Sequence, residues 1–404
     1  MIRQNFNADW TVEKGDGNSR MNSFLGNTQT KTVHLPYDAM IHEARTPDTK
    51  NGAQTGFYPG GEYIFQKHFT APQAWQGKPV SLVFEGVYQT ALVYLNGWLL
   101  TRNVNGYAEF TVEAGPYLKY GADNLLKVIA DNSLEPNSRW YTGSGIYRPV
   151  RLLVGNKVYL PQDTVRITTR EADEGFALLD VTAQVQSAST VTERVTLQQT
   201  ICREGTAVLT DRQNLLLQPG ESRTVSFRYC VDSPALWSPE NPNLYTSTMQ
   251  VLEGEEELDR EETSFGIRTL SIDAAHGVRI NGQTVKLRGA CIHHDNGILG
   301  AATLPDAEER RIRQLKEAGF NAIRSSHHPA GRALLDACDR YGVLVMDELS
   351  DVWNVRKNPY DYALYFEQDW KPTIQKMVAK DYNHPSVILY CVGNEISEAG
   401  SESG

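Results

Sequence analysis

The sequence predicts a multidomain protein in which two β-sandwiches precede a unit of alternating strands and helices. Apolar residues recur with a period of two as far as about residue 268, and the period changes to 3.6 after Phe265-Gly266. The 404 residues are also too many for one ordinary hydrophobic core. We therefore expect three domains, over residues 1–155, 156–268 and 269–404.

The first domain is predicted to be an antiparallel sandwich. Short runs of Val, Leu, Tyr and Phe are separated by turn residues. Asn96-Gly97 marks the clearest hairpin, because these two residue types tolerate the positive φ that a tight turn requires. The predicted strands lie in "YIFQKHF", "VSLVFEGV", "TALVYLNG" and "NLLKVIAD".

The second domain repeats this pattern with a different composition, and its turns include Pro219-Gly220 and a proline cluster from Pro234 to Pro242. Several strands in so short a stretch are typical of an immunoglobulin-like sandwich. The predicted strands lie in "TVRITTR", "FALLDVTAQVQ", "RVTLQQTIC", "RTVSFRYCV" and "LYTSTMQVLEG".

Helical periodicity begins in the third domain. The first predicted helix starts with Asp306 as its cap and ends at Gly319, and the second ends at Gly342. In a third helical segment, Pro372 is predicted to begin a new turn, because proline disrupts a helix interior.

Four strand candidates alternate with these helices: "VKLRGACIHH", "NAIRSSHH", "VLVMDE" and "SVILYCVGNE". Strict alternation predicts parallel pairing with right-handed crossovers. A closed barrel of this type has eight strands, so residues 269–404 are predicted to form part of a (β/α)8 TIM barrel. Such a half barrel exposes two strand edges and an apolar face, so we expect either self-association into a homo-oligomer or cover from the sandwiches.

Composition excludes several classes of partner. The net charge of -10 and the absence of a basic run argue against nucleic acid and anionic membranes. No stretch resembles a signal peptide or a membrane span, so a cytoplasmic location is expected. The five cysteines are scattered without a C-x-x-C pair, which favours free thiols.

Polar residues close every predicted barrel strand. Because the carboxyl ends of parallel strands face one way, these residues are expected to meet at one mouth. They are His293, His294 and Asp295, then Arg324, Ser326, His327 and His328, then Asp347 and Glu348, and finally Asn394 and Glu395.

This set of side chains suits glycoside hydrolysis. An acid such as Glu395, its carboxyl group expected to be half withdrawn from water, can protonate the leaving oxygen, while the neighbouring amide of Asn394 binds a sugar hydroxyl. Simpler interpretations stay open. A glutamate at a strand end such as Glu395 is more often a solvated loop residue or an ion-pair partner, and Arg324 is compatible with an ion pair to Asp347 or Glu348.

A metal site at the histidine doublets is not favoured. Adjacent residues of a strand point to opposite faces, and the doublets lack the H-x-x-x-H spacing of a helical site. We therefore expect neither a metal nor another cofactor.

Two long stretches resemble the patterns of glycoside hydrolase family 2, the β-galactosidase, β-glucuronidase and β-mannosidase group. They are "NAIRSSHHPAGRALLDACDRYGVLVMDE" and "DYNHPSVILYCVGNE". Shorter stretches resemble the same family in the same order: "RWYTGSGIYRPVRL", "NPNLYT", "FGIRTL" and "KLRGACIHHDNGILG". The resemblance implies a jelly-roll sugar-binding domain, an immunoglobulin-like domain and a TIM barrel.

The resemblance also implies roles for individual residues. Glu395 matches the general acid and base, and Asn394 the residue that holds the sugar 2-hydroxyl. The residues that match substrate-binding positions are His293, His327, Arg324, Asp38 and Trp353. Val352 and Asn354 stand where some large bacterial members have the Glu and His of a magnesium site, so that site is not expected.

The nucleophile is the main departure from the family. Retaining glycosidases attack the sugar with a second carboxylate about 5 Å from the acid. In the family this glutamate lies on a later strand than any in this sequence, and Glu348 is a weak alternative. The 404-residue chain alone is therefore expected to be inactive or nearly so.

Three functions stay open at this stage. The motif "HHDNGILG" resembles the galactosidase-like members of the family more than the others, which implies hydrolysis of a β-linked galactoside or related oligosaccharide. A non-catalytic carbohydrate-binding fragment, or a fragment that complements a partner, is the alternative. Specificity for a β-glucuronide or a β-mannoside also stays open.

Overall fold

The structure is a computed structural model that describes residues 1–15 and 30–400. Within these ranges no helix is both long and apolar enough to cross a membrane. Two β-sandwiches are followed by four parallel strands with their helices, which confirms the predicted fold class. The domain boundaries at 155 and 268 remain predictions.

The first sandwich consists of two antiparallel sheets. Trp10, Phe65 and Phe84 are fully buried in the core between them. The smaller sheet contains, in spatial order, β1 (Ile2–Asn5), β10 (Val150–Val154), β5 (Val80–Phe84) and β8 (Phe110–Glu113). The larger contains β3 (Lys31–Val33), β2 (Trp10–Lys14), β4 (Glu62–Thr70), β9 (Asp123–Asp131), β6 (Thr90–Leu95) and β7 (Trp98–Asn103).

The hairpin between β6 and β7 forms as predicted. Asn96 has a φ of 52° and Gly97 a φ of 89°, so both central residues adopt the left-handed conformation of a primed turn. The turn therefore fixes the register in which Leu95 faces Trp98.

The second sandwich also pairs two antiparallel sheets, around a core that includes Leu197, Met249 and Phe265. One sheet contains β11 (Val158–Tyr159), β12 (Arg166–Ala172), β13 (Phe176–Ser187) and β16 (Ser222–Asp232), with β13 paired to the other three. The other contains, in spatial order, β15 (Thr206–Leu217), β14 (Glu193–Arg203), β17 (Tyr245–Glu253) and β18 (Glu256–Phe265).

A small antiparallel sheet that the sequence did not predict joins the second sandwich to the barrel strands. It contains β19 (Leu270–Asp273), β20 (Gly277–Ile280) and β21 (Gln283–Thr284). Ile280 packs in one apolar cluster with Ala322 and Leu344, the first residues of two barrel strands. The small sheet therefore covers the amino-terminal end of the barrel strands.

The four barrel strands pair in parallel and in sequence order, as predicted. They are β22 (Gly289–Ile292), β23 (Ala322–Ser325), β24 (Leu344–Glu348) and β25 (Val387–Cys391). In the described ranges, β22 and β25 each have one strand neighbour. Their shared inner face is lined by apolar side chains, which include Leu287, Ala322, Leu344, Met346 and Leu389, whereas Ile323 and Val345 pack against the helices.

The barrel helices are α1 (Pro305–Glu317), α2 (Arg332–Tyr341) and α3 (Phe366–Asp381). Two details of the prediction were wrong. Asp306 lies in the first turn of α1 rather than at its cap, because the helix already begins at Pro305 and Leu304 is the capping residue. Pro372 lies inside α3 instead of beginning a new turn.

Short 3₁₀ helices complete the fold. They are Met40–His42, Gly52–Thr55, Gln73–Trp75, Gly115–Tyr117, Gly297–Leu299, Tyr362–Leu364 and Ser397–Gly400.

Candidate active site

The candidate site lies at the carboxyl ends of the four barrel strands. At its centre, Arg324 donates from Nε to Glu348 Oε2 at 2.5 Å and from Nη2 to Glu348 Oε1 at 3.0 Å. Arg324 Nη2 also donates to Asn394 Oδ1 at 3.0 Å. The Nδ1–H group of His327 donates to Glu348 Oε1, again at 3.0 Å. Three of the predicted strand ends are therefore joined by one hydrogen-bond network.

Glu348 is fully buried within this network, and its carboxylate holds Arg324 and His327. Of the two partners that the sequence left open for Arg324, the structure has Glu348. The hydrogen bond from Arg324 to Glu348 raises the pKa of the guanidinium. A carboxylate engaged in this way is poorly placed to attack a sugar, so the geometry gives Glu348 a structural and electrostatic role.

Glu395 lies beside Asn394 on the same rim but is more exposed than expected. Its side chain is 70% exposed, whereas the sequence suggested a carboxyl group half withdrawn from water. The chain turns after β25, and Glu395 has a φ of 47°, which directs its side chain outward. Its Oε2 lies 3.5 Å from Arg139 Nη1 and 3.8 Å from Lys357 Nζ.

The two histidine doublets divide between the site and the interior. His293 and His327 lie at the open side, with their ring centroids 5.8 Å apart. His294 and His328 are buried, and each donates one ring N–H to a backbone carbonyl oxygen, at 2.9 and 3.1 Å. Burial lowers the pKa of His294 to about 3 and that of His328 well below its usual value, so both rings are neutral.

One group of three possible metal ligands occurs in the part of the chain that the structure describes: Asp336, Asp339 and His384. It lies before β25, at the opposite end of the strand from Glu395. His384 Nδ1 is 2.6 Å from Asp339 Oδ2, so the arrangement is an ion pair.

Asp38, which was predicted to contact substrate, is buried and fully engaged by the protein. Its Oδ1 accepts from the backbone N–H groups of Met40 and Ser144, each at 2.9 Å. Its Oδ2 accepts from the Tyr141 hydroxyl at 2.6 Å and from the backbone N–H of Ala301 at 2.9 Å. The carboxylate therefore joins loops of the first sandwich to a barrel loop, and its contact with a sugar remains a prediction.

Trp353 is partly buried beside the turn that follows β25. Its Nε1 donates to the backbone oxygen of Val392 at 2.9 Å, and its ring stacks on Phe366 at a centroid distance of 6.1 Å. Trp353 therefore supports the loop that carries Asn394 and Glu395.

The first sandwich adds aromatic residues that the sequence analysis did not single out. Trp140 stacks on His293 at 4.9 Å and meets the edge of His327 at 5.6 Å, measured between ring centroids. Trp140 Nε1 donates to the Tyr107 hydroxyl at 3.0 Å, and Tyr107 stacks on His328 at 4.1 Å. The sandwich therefore forms one wall of the site.

Three charged residues at the site were also missed: Arg139 from the first sandwich, and Asp351 and Lys357 from the loop after β24. Arg139 and Trp140 lie within the matched stretch "RWYTGSGIYRPVRL", which was the available signal for them. The loop after β24 carried a comparable signal only at Trp353, because neither Asp351 nor Lys357 ends a predicted strand.

Two sandwiches followed by parallel barrel strands form the architecture of a modular glycoside hydrolase, and comparisons with known proteins agree with this fold. Three family models match in succession: "Glycosyl hydrolase 2 galactose-binding domain-like" over residues 10–176, "Glycosyl hydrolases family 2" over 158–268, and "Glycosyl hydrolases family 2, TIM barrel domain" over 274–403. The chain belongs to glycosyl hydrolase family 2.

Among curated relatives, the β-galactosidase BoGH2A of Bacteroides ovatus is 37% identical over 402 residues, which are 99% of this chain and 47% of the relative. A putative β-glucuronidase of Formosa agariphila is 32% identical over 98% of this chain and 37% of its own length. The chain therefore spans half or less of these relatives.

Solved structures show the same relationship. A family 2 member from Bacteroides cellulosilyticus superposes with a TM-score of 0.94 at 37% identity, over 98% of this chain and 52% of that one. A β-glycosidase from Bacteroides vulgatus gives a TM-score of 0.91 at 31% identity, over 100% of this chain and 51% of its own.

Proposed function

We propose that the protein hydrolyses β-galactosides with retention of configuration, and that Glu395 is its general acid and base. The observation that carries this proposal is the shared rim. Glu395 follows Asn394, which accepts a hydrogen bond from Arg324. Glu348 in turn accepts hydrogen bonds from Arg324 and His327. A sugar bound over this rim would meet a proton donor and several hydrogen-bond donors on one side.

In the proposed reaction, Glu395 gives its proton to the glycosidic oxygen as the bond from that oxygen to the anomeric carbon breaks. A second carboxylate attacks the anomeric carbon and forms a glycosyl–enzyme bond. Glu395, now ionised, removes a proton from a water molecule that hydrolyses this bond. Asn394 holds the sugar 2-hydroxyl during both steps.

The second carboxylate is proposed to lie outside the described residues. The resemblance puts the family's nucleophile on a later strand, and Glu348 is occupied by Arg324 and His327. Residues 1–404 alone are therefore proposed to be inactive or nearly so.

A neutral sugar is favoured over a uronic acid by the charges on the rim. Among the described residues of the rim, the cations Arg139, Arg324 and Lys357 each already contact a carboxylate. A sugar carboxylate would have to compete with these ion pairs. The name of the relative from B. ovatus is consistent with a galactoside, whereas the relative from F. agariphila is named as a glucuronidase.

The test is a substrate panel with the protein expressed from its complete gene. We expect 4-nitrophenyl β-galactoside to give the highest kcat/KM among the galactoside, glucuronide and mannoside. Glu395→Gln should lower that value by about 10²-fold or more, because general acid catalysis is lost. Glu317→Gln, an exposed glutamate on α1, is the matched control. Unchanged activity in Glu395→Gln would refute the assignment, and a preferred glucuronide would refute the substrate.

A carbohydrate-binding or complementing role is the second candidate, and the open inner face of the barrel strands favours it. Residues 1–404 would then bind galactose without turnover, as measured by calorimetry. Activity that appears when a separately expressed carboxyl-terminal portion is added would support complementation. Light scattering of the same sample tests self-association through the open face.

A further inference from the structure

Asp351 is the centre of a charged cluster that connects the first sandwich to the end of β25. Its side chain is 12% exposed. Arg139 approaches with two nitrogens, Nη2 to Oδ1 at 2.7 Å and Nε to Oδ2 at 3.2 Å. Lys357 Nζ donates to Oδ1 at 3.0 Å, and Asn394 Nδ2 donates to the same oxygen at 2.9 Å.

The two cations of this cluster also contact the proposed acid. Arg139 lies 3.5 Å and Lys357 3.8 Å from the Glu395 carboxylate. Lys357 in addition donates to the backbone oxygen of Asn394 at 2.7 Å. Two cations are therefore shared between two carboxylates, of which Asp351 is partly buried and Glu395 is exposed.

We propose that Asp351 is a positioning residue for Glu395: it draws Arg139 and Lys357 toward itself and fixes the Asn394 amide, so that Glu395 keeps its place and is not the only carboxylate that these two cations contact. This inference rests on the proposed function of Glu395. It assigns part of the catalytic apparatus to the first sandwich, because Arg139 belongs to that domain.

The charge balance gives the physical reason. If Asp351 loses its charge, Arg139 and Lys357 are left with Glu395 as their shared carboxylate, which favours the ionised form of the acid. Two further titratable groups lie near Asp351, whose charge acts to raise the pKa of His293 and that of Asp361. Burial opposes the charge of Asp351, but hydrogen bonds from Arg139, Asn394 and Lys357 hold its pKa below the usual range. Asp351 is therefore ionised at neutral pH.

Leaving-group dependence separates this role from a merely structural one. Phenyl β-galactoside needs protonation of its leaving oxygen. In the 2,4-dinitrophenyl glycoside, the leaving group is a stable phenolate that departs without a proton. In the enzyme expressed from the complete gene, Asp351→Asn should lower kcat/KM for the phenyl glycoside by about 10²-fold. The kcat/KM for the dinitrophenyl glycoside should fall by less than about threefold. For the phenyl glycoside, the alkaline limb of the pH profile should move to lower pH.

Asp180→Asn is the matched control. Asp180 bridges Arg170 and Arg228 at 2.7 Å each, and its side chain is 15% exposed, but it lies in the second sandwich. This variant should leave kcat/KM unchanged for both glycosides. If Asp351→Asn does not fold, Arg139→Gln takes its place: it removes one cation from beside Glu395, so the alkaline limb of the pH profile for the phenyl glycoside should move to higher pH, and a limb that stays in place or moves to lower pH would overturn the inference.

Equal losses for both glycosides, or no loss for either, would overturn the inference. Glu395→Gln distinguishes this failure from failure of the proposed function. If Glu395→Gln itself shows no leaving-group dependence, the acid assignment is wrong. If it does and Asp351→Asn does not, only the role of Asp351 is wrong.

Discussion

Arg324 donates two hydrogen bonds to the buried carboxylate of Glu348 and one to the amide oxygen of Asn394. This relationship orients the amide of Asn394 from the second and third barrel strands. The position of the Asn-Glu pair therefore depends on an ion pair that is distant from it in sequence.

We predict that Glu348→Ala destabilises the protein strongly. Removing one partner of a buried ion pair leaves the other charge uncompensated, at a cost of about 3–5 kcal/mol. Urea unfolding of residues 1–404, followed by circular dichroism, measures the change. Glu317→Ala on α1 is the control, and a loss for Glu348→Ala no larger than that of the control would contradict the prediction.

Asp38→Asn should weaken the junction between the first sandwich and the barrel. Asparagine replaces one of two fully used acceptor oxygens with an NH₂ group, which would face N–H or O–H donors. The expected cost is about 1–3 kcal/mol of unfolding free energy. Thermal unfolding measures it, with the exposed Asp123→Asn as the control, and equal melting temperatures would argue against the bonding pattern described for Asp38.

Stability should fall as pH rises because of Asp347. Burial and the neighbouring Asp381 raise the pKa of Asp347 well above its usual value. The folded state then keeps a proton that the unfolded chain releases, so the free energy of unfolding decreases with increasing pH above the ordinary Asp range. Asp347→Asn should flatten this dependence and stabilise the protein at pH 8 relative to the unsubstituted chain.

His384 also makes the stability of the protein depend on pH, so it sets the dependence that is expected to remain in Asp347→Asn. Burial lowers its pKa, but Asp339 outweighs burial, so the pKa is raised. Its stabilising contribution is complete below the ordinary His range and is lost as pH rises through the folded value. Asp347→Asn should therefore leave a smaller slope, centred near the raised pKa of His384. An unchanged slope would mean that Asp347 is already ionised in the folded protein.

The barrel strands and their convergence were predictable from sequence because both follow from local patterns. The alternation of strand and helix periods predicts the parallel order of β22 to β25. Parallel order alone brings Arg324, Glu348 and Asn394 to the same end of the sheet. The small sheet of β19 to β21 was missed, since its strands are too short to establish a period.

The residues that the first sandwich contributes to the site could not be predicted in the same way. Arg139 and Trp140 reach the barrel only because the first sandwich packs against it, through contacts such as the ion pair between Glu109 and Arg332 at 2.8 Å. The exposure of Glu395 depends on a left-handed residue after the strand, and glutamate gives no local signal for that conformation.

The most direct test of the account is azide rescue of Glu395→Ala in the enzyme expressed from the complete gene. With 2,4-dinitrophenyl β-galactoside, the variant should form the glycosyl–enzyme bond but hydrolyse it slowly, because no base activates water. Azide needs no base, so it should raise turnover on the order of tenfold or more and give β-galactosyl azide. An α-galactosyl azide would make Glu395 the nucleophile, and a folded variant without any azide adduct would contradict its role as acid and base.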